Sequence, residues 1–272
     1  MFKIGLSSCD KVINEELFIK YKNAGIDVME ICTAYDKYDT IDYKNISRLS
    51  AKYGIGLWSY HLPFGPFTQI DISNVDTKKY TLEYYRELIG KASDIGVDKF
   101  VVHPSGEPIL PESREERMKC AKDSLAELAE IALECGAKIA VEDLPRTCLG
   151  RNSNEIAELI SLHDNLGVCF DTNHLLGEDI IQFVYNLKGK IITTHISDYD
   201  FVDEKHWLPG EGDIEWGALA NALKETGYTG AWLYEMGFHI PHNINRAREL
   251  TCEDFVRNAK EIFEGKDITI VS

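Results

Sequence analysis

The chain has 272 residues, of which 44% are hydrophobic, and its 29 basic and 45 acidic side chains give a formal net charge of −16. The acidity argues against a nucleic-acid partner, because proteins that follow a phosphate backbone carry a basic surface. No stretch approaches the ~20 apolar residues that cross a bilayer, so we expect no membrane partner. The length fits one large α/β domain, and we predict a single domain over residues 1–272.

Seven cysteines are distributed without a CxxC pair, and several lie inside apolar strand or helix patterns. Such an arrangement is typical of buried, reduced thiols rather than of a disulfide framework or a redox motif. The amino-terminal sequence MFKIGLSSCDKV lacks the long apolar run and the cleavage site of a secretory signal. We therefore expect a cytoplasmic protein.

Short apolar runs alternate with amphipathic runs along the whole sequence. The apolar runs predict eight strands, at residues 3–7, 27–32, 55–61, 98–103, 138–142, 166–171, 190–196 and 230–235. The amphipathic runs predict eight helices, at residues 14–24, 41–53, 77–95, 112–135, 153–162, 178–187, 215–226 and 251–263. Strict alternation of eight strands with eight helices predicts an α/β fold, a single (β/α)8 TIM barrel.

The last four predicted strands each end on a side chain that can bind a divalent metal: Glu142, Asp171, His195 and Glu235. A charged or polar group at the tip of a buried strand is costly unless it is paired or coordinated. The carboxyl ends of barrel strands converge, so we predict that these four residues share one metal ion. Three carboxylates and an imidazole suit manganese, magnesium, cobalt or zinc. Manganese is our first expectation, and the other three ions are the alternatives.

Four histidines and other polar side chains fall at the same predicted face. His61 and His103 end the third and fourth strands, His174 follows Asp171 closely, and His206 lies in the loop after the seventh strand. We expect all four histidines to line the substrate pocket. Glu30 and Trp58, near the ends of the second and third strands, could also reach it, although core packing is the simpler account for Trp58.

Five segments carry a resemblance to a known family: VEDLP around Glu142, FDTNH around Asp171, THISD around His195, HWLPGEGDIEW at 206–216, and LYEMG around Glu235. In their order and strand placement the chain resembles the xylose isomerase-like barrel superfamily, in its branch of sugar phosphate isomerases and epimerases. The resemblance covers essentially the whole chain. It implies a divalent-metal-dependent enzyme that acts on a small keto- or aldo-sugar or a derivative of one.

The resemblance also implies roles for individual residues. Glu142, Asp171, His195 and Glu235 would bind one divalent ion, and Glu142 and Glu235 would also act as catalytic acid and base. Removal of a proton beside a carbonyl generates an enediolate, whose negative charge the ion would stabilise. His61, His103, His174 and His206 would bind substrate. Similar barrels are frequently dimers or tetramers, so a homo-oligomer is in keeping with the resemblance.

The same superfamily leaves other activities open. Type IV apurinic endonucleases bind three zinc ions, and their nine ligand positions find candidates here in His61, His103, Glu142, Asp171, His174, His195, Glu204, His206 and Glu235. The sequence departs from that family at Glu204, where the family has an aspartate, and its acidity argues against a nuclease. A dehydratase or lyase would use the same four metal ligands, because enolisation is the first half of dehydration as well as of isomerisation.

The loops at the predicted carboxyl face contain further candidates for ligand binding. Arg146 and Arg151 follow the fifth strand and could bind a phosphate or carboxylate of the substrate, with surface ion pairing as the alternative. Phe64, Phe67 and Trp207 lie in long loops that could cover the pocket or simply pack against it.

Overall fold

The computed structural model describes residues 2–9, 11–65 and 69–271. Its eight strands are β1 (Lys3–Ser7), β2 (Val28–Ile31), β3 (Gly56–His61), β4 (Lys99–Val102), β5 (Lys138–Glu142), β6 (Leu166–Asp171), β7 (Ile191–His195) and β8 (Ala231–Tyr234). Its eight α-helices are α1 (Glu15–Ala24), α2 (Tyr43–Tyr53), α3 (Lys78–Ser93), α4 (Arg114–Glu134), α5 (Ser153–Leu159), α6 (Ile180–Asn186), α7 (Trp216–Glu225) and α8 (Cys252–Glu264). The strict strand–helix alternation predicted from the sequence is confirmed.

The strands form one parallel sheet in the order β7-β6-β5-β4-β3-β2-β1-β8. The two outer members of this order meet through a parallel bridge between Ile196 and Tyr234, where the Ile196 amide donates to the Leu233 carbonyl at 2.8 Å. This bridge brings the sheet almost to full closure, and the fold is a TIM barrel, as predicted. All eight strands therefore present their carboxyl ends on one face.

The interior of the barrel is filled by small and medium side chains directly below that face. Ala140, Cys169 and Leu233 lie two residues before Glu142, Asp171 and Glu235, and all three are buried in clusters inside the barrel. Because side chains alternate along a strand, residues two apart point to the same side. The three carboxylates consequently form the top layer of the barrel interior.

The helices surround the barrel and are defined at their ends by local hydrogen bonds. The side chain of Asp179 accepts from the Gln182 amide, so α6 begins at Ile180, two residues later than its predicted start. α5 ends at Leu159, earlier than the predicted residue 162. The apolar periodicity continues beyond the start of α6 and beyond the end of α5. Hydrogen bonds at the helix ends, which the periodicity does not predict, determine these boundaries.

Two further features bear on the sequence-based expectations. All seven cysteines are free, and Cys32, Cys148, Cys169 and Cys252 are buried. Among the helices in the described part of the chain, none is long and apolar enough to cross a membrane.

Candidate metal centre and active site

The four predicted metal ligands meet around one atom, the Nδ1 of His195. It lies 2.9 Å from Glu142 Oε1, 3.0 Å from Glu235 Oε2 and 3.8 Å from Asp171 Oδ2. Glu142, Asp171 and His195 are almost fully buried, and the Glu235 side chain is 11% exposed. Their convergence follows from barrel closure, which sets the ends of β5, β6, β7 and β8 around a common axis.

The donor atoms at this centre fit a divalent cation. Asp171 Oδ1 accepts from the Asn173 amide at 2.6 Å, whereas Asp171 Oδ2 is buried and has no hydrogen-bond partner among the described residues. An unpartnered buried carboxylate oxygen is costly, and burial raises the pKa of Asp171 to about 6. A cation at this oxygen would remove that cost. Three carboxylates with one imidazole form the hard oxygen and nitrogen set that such ions prefer.

Glu30 supports His195 from the opposite side of the imidazole ring. Glu30 Oε2 lies 3.1 Å from His195 Nε2 and accepts a hydrogen bond of 2.8 Å from Ser59 Oγ. An ionised carboxylate can only accept, so Nε2 donates to Glu30. Nδ1 also faces carboxylate oxygens, and although burial opposes a charge on His195, the neighbouring carboxylates raise its pKa well above the usual range. An ion held by the other three carboxylates would take the place of the Nδ1 proton and leave Nε2 protonated towards Glu30. Sequence analysis placed Glu30 near the pocket without a role; its position at the end of β2 was the available signal.

His61 and His103 both contact the remaining oxygen of Glu142. The Nε2 atom of each lies 3.1 Å from Glu142 Oε2, and His61 Nδ1 donates to the Leu62 carbonyl at 2.8 Å. Burial opposes charge on His61, but the hydrogen bond to Glu142 and the surrounding carboxylates raise its pKa to about 9. Burial lowers the pKa of His103 despite the same partner. The pKa values of the two rings are therefore shifted in opposite directions although both rings contact the same oxygen.

A second group of ligand-type atoms lies beside the metal centre: His174, Glu204 and His206 have one such atom each within 4.8 Å of one another. His174 Nδ1 lies 2.7 Å from the Asp143 carbonyl oxygen, and its Nε2 lies 3.0 Å from Glu204 Oε1. Burial would raise the pKa of Glu204, but contacts with His174 and Arg146 lower it to about 2. Glu204, despite replacing an aspartate of the endonuclease pattern, reaches this group.

Arg146 lies at the rim of the site and is surrounded by acidic side chains. Its guanidinium contacts Glu107 at 2.9 Å, Asp203 at 2.7 Å and Glu204. These carboxylates come from two loops, the one after β4 and the one after β7, and their charges exceed that of the single arginine. Ion pairing, the alternative stated from the sequence, is therefore what the structure contains, and a contact between Arg146 and substrate stays a prediction.

A cavity of about 360 Å³ opens beside the metal centre on the carboxyl face. His103, His174, Glu204 and Arg146 contribute polar groups to its wall, and Phe64 stacks on His103 with a centroid separation of 4.4 Å. The volume lies in the range of small-molecule sites.

Trp207, another of the aromatic loop candidates, does not line this cavity. Trp207 is buried and forms an antiparallel bridge with Asp198, while Phe67 lies outside the described residues. Trp58 lines a separate cavity of about 390 Å³, whose other walls include Lys99, Lys138 and Thr226 to Gly230, and its indole nitrogen donates to Thr193. Trp58 is therefore remote from the metal centre.

Comparison with known proteins places the chain in a family. Residues 18–253 match the family model described as the xylose isomerase-like TIM barrel. The chain belongs to this family. The resemblance recognised in the five sequence segments is thereby confirmed for most of the chain.

Two relatives that cover most of the chain are named as an isomerase and an epimerase. Inosose isomerase of Bacillus velezensis is 26% identical over 277 residues, covering 93% of this chain and 95% of the relative. D-psicose 3-epimerase of Ruminiclostridium cellulolyticum is 23% identical over 253 residues, covering 85% of this chain and 82% of the relative. The uncharacterized protein MJ1311 of Methanocaldococcus jannaschii is 31% identical, but the match spans 62% of this chain and only 61% of that protein.

Solved structures show the same architecture. A D-tagatose 3-epimerase-like protein superposes with a TM-score of 0.81 at 25% identity, covering 96% of this chain and 97% of the other. L-ribulose 3-epimerase superposes with a TM-score of 0.78 at 21% identity, covering 97% of this chain and 94% of the other. At this level of identity the similarity shows a common fold.

Proposed function

We propose that this chain is a divalent-metal-dependent isomerase or epimerase of a small keto- or aldo-sugar or a derivative of one. The observation that carries the proposal is the convergence of Glu142, Asp171 and Glu235 on the Nδ1 of His195 beside an open cavity. The activities of the relatives support the same class of reaction.

Glu142, Asp171, His195 and Glu235 would hold one ion, with manganese as the first expectation and magnesium, cobalt or zinc as alternatives. When bound, the ion would draw electron density from a substrate carbonyl and reduce the cost of the negative charge that develops as a neighbouring proton leaves. Every other task in the reaction falls to side chains of this chain.

Glu142 and Glu235 would transfer the protons. Glu235 is the more exposed of the two. Although burial would raise its pKa, His195 lowers that pKa to about 2, so the side chain is ionised at neutral pH. Glu142 would act from the other side, its position fixed by His61, His103 and His195. Two carboxylates permit removal of a proton by one and its return by the other, as an epimerase requires.

The histidines around the cavity would orient the hydroxyl groups of the substrate. His103 and His174 contribute to the cavity wall. The His61 ring contacts the His103 ring, and the His206 ring contacts the His174 ring. Imidazole nitrogens and carboxylate oxygens supply both donors and acceptors, which suits a ligand whose every carbon carries an oxygen.

The proposal is tested by proton exchange with solvent. The purified, manganese-loaded protein would be incubated in heavy water with D-psicose, D-tagatose, L-ribulose and an inosose, and deuterium at the carbon beside the carbonyl would be followed by NMR. We expect incorporation with at least one ketone, and its loss in Glu235→Gln but not in Glu16→Gln on the exposed face of α1. Absence of exchange across a wide panel of ketoses and cyclitol ketones would contradict the proposal.

One observation favours a second candidate, a multi-zinc phosphodiesterase like the type IV apurinic endonucleases. Two additional sets of ligand-type atoms flank the centre, His61 with His103 and Glu142, and His174 with Glu204 and His206. A cluster of metal ions can stabilise both the attacking and the leaving oxygen when a phosphodiester is cleaved. The net charge of −16 opposes binding to a nucleic-acid backbone. Cleavage of a duplex with an abasic site by the zinc-loaded protein would favour this candidate.

A further inference from the structure

Two cysteines lie side by side where the first two strands of the barrel end. Ser7 of β1 is paired with Glu30 of β2 in parallel register, and the Ser8 amide donates to the Glu30 carbonyl at 3.0 Å. Two residues further along both strands, the same register places Cys9 beside Cys32. The two sulfur atoms are 2.9 Å apart.

Hydrogen bonds of Ser8 hold the backbone of this pair in place. Ser8 Oγ donates to the Cys32 carbonyl at 2.8 Å, and the Cys32 amide donates to Ser8 Oγ at 2.9 Å. Neighbouring strands lie about 4.8 Å apart, which is within the Cα separation that a disulfide spans. The two sulfurs can therefore be joined without moving the strands.

The two thiols differ in their access to solvent. Cys32 is 1% exposed, whereas Cys9 is only partly buried. An external oxidant would thus meet Cys9 first, with Cys32 directly behind it. Both sulfurs lie within 4.8 Å of a carboxylate oxygen of Glu235, so this pair borders the metal centre.

We propose that Cys9 and Cys32 are a covalent modification site, a dithiol that low-molecular-weight disulfides oxidise to an intramolecular disulfide. The Cys9 sulfur attacks the small disulfide, which forms a mixed disulfide and releases one thiol. The Cys32 sulfur then attacks Cys9, which forms the Cys9–Cys32 bond and releases the second thiol. Two electrons and two protons pass from the cysteines to the small disulfide, and no other reactant is needed.

Cys9, Cys32 and Glu235 are also a set that a soft cation could bind. Two thiolates on one tetrahedral zinc ion are about 3.8 Å apart, and the sulfurs of a disulfide are about 2.05 Å apart. The 2.9 Å between Cys9 and Cys32 lies between these spacings, so the two outcomes are separated by experiment. The inference rests on this geometry and is independent of the proposed function.

The experiment uses the full-length, manganese-loaded protein. It would be incubated with oxidised glutathione, treated with an alkylating agent, digested with trypsin and mapped by mass spectrometry without reduction. Cys9 and Cys32 fall in separate tryptic peptides, residues 4–11 and 23–37, so a crosslink between them is unambiguous. We expect this crosslinked pair, lighter by two hydrogen atoms than the sum of the two peptides, and no crosslink that includes any of the other five cysteines.

Two variants sharpen the test. In Cys32→Ser, Cys9 should remain as a stable mixed disulfide with glutathione, because its internal partner is gone. Cys135→Ser, which removes the exposed cysteine, should form the Cys9–Cys32 crosslink as the unaltered chain does. The inference would be overturned if Cys9 and Cys32 were alkylated in the unaltered chain as fully as without glutathione. It would also be overturned if glutathione stayed on Cys9 while Cys32 remained reduced; both results come from the natural sequence and need no variant to fold.

Discussion

Glu30 and Glu142 bind opposite nitrogens of the same imidazole ring, that of His195. Glu30 Oε2 lies 3.1 Å from Nε2 and Glu142 Oε1 lies 2.9 Å from Nδ1. The ring therefore spans the barrel between β2 and β5, and its orientation is fixed from both sides. With its Nε2 proton held by Glu30, the ring would offer the Nδ1 lone pair to an ion bound by the three carboxylates that we propose as metal ligands.

Glu30→Gln is expected to weaken metal binding without removing a ligand. The amide lacks the negative charge that holds the Nε2 proton, so the tautomer with a free Nδ1 lone pair becomes less favoured. Loss of such an outer contact typically reduces metal affinity by about 10–100-fold. Calorimetric titration of the metal-free protein with Mn²⁺ measures the change, with Glu16→Gln as the exposed control. Equal affinities in the two variants would contradict the role of Glu30.

Glu235→Gln is expected to reduce turnover by about 10²–10⁴-fold, the usual contribution of a positioned proton-transfer group. The substitution is close to isosteric, so the far-ultraviolet dichroism spectrum and the melting temperature should be retained. Activity would be measured at saturating Mn²⁺, so that weaker metal binding does not mimic a loss of proton transfer. Near-normal turnover under those conditions would remove Glu235 from the mechanism.

Much of the site was predictable because barrel topology alone determines which strand ends meet. Glu142, Asp171 and His195 end β5, β6 and β7, and Glu235 directly follows β8. The sequence predicts these positions through apolar runs that end on polar residues. Hydrophobic periodicity does not predict which side chains contact each other across the barrel. The contact of Glu30 with His195 depends on side-chain directions and on a register shift in the β2–β3 pairing next to Glu30.

Loop conformation was the other feature that the sequence did not reveal. Arg146 has a positive φ of 51°, a conformation that non-glycine residues seldom adopt, and its side chain meets Asp203, far along the chain. The cysteines were expected to be buried thiols without a redox role. The contact between Cys9 and Cys32 emerges only when the strand register is known, because the two residues are separated by a helix.

Arg246→Met is expected to destabilise the fold by about 3–5 kcal/mol, the cost of leaving a buried charge without its partner. Arg246 and Glu211 form an ion pair with almost no exposure, which joins the loop after β7 to the loop after β8. Arg246 also donates to the His239 carbonyl at 3.0 Å. Urea unfolding measures the loss. The matched control is Lys52→Met, which breaks an exposed pair with Glu15 and should cost far less, because solvent screens this pair.

Asp254 is expected to contribute stability that disappears in acid. Burial would raise its pKa, but hydrogen bonds from Arg248 and from the Thr251 amide lower that pKa from 3.8 to about 2. Because the folded value lies below the unfolded one, the stabilisation is complete above about pH 4 and is lost as the pH falls towards 2. Unfolding free energies measured across this interval should depend less steeply on pH in Asp254→Asn than in the unaltered chain. An identical pH dependence would contradict the assignment.

Chelation is expected to abolish turnover while leaving the barrel folded. The interior below the metal centre is packed by apolar and small side chains such as Ala140, Cys169 and Leu233, none of which depends on an ion. Dichroism recorded before and after removal of the metal, together with recovery of activity on adding Mn²⁺, checks this expectation. Loss of helical signal on chelation would show instead that the ion is part of the folded structure.

We propose that one divalent ion, held by Glu142, Asp171, His195 and Glu235, serves a sugar isomerase or epimerase. The deciding measurement is the metal content per chain, determined by elemental analysis of protein purified without added metal or chelator. We expect about one ion per chain, lost together with activity in Asp171→Ala and His195→Ala. About two or three zinc ions per chain, retained through purification, would contradict it and would favour the phosphodiesterase.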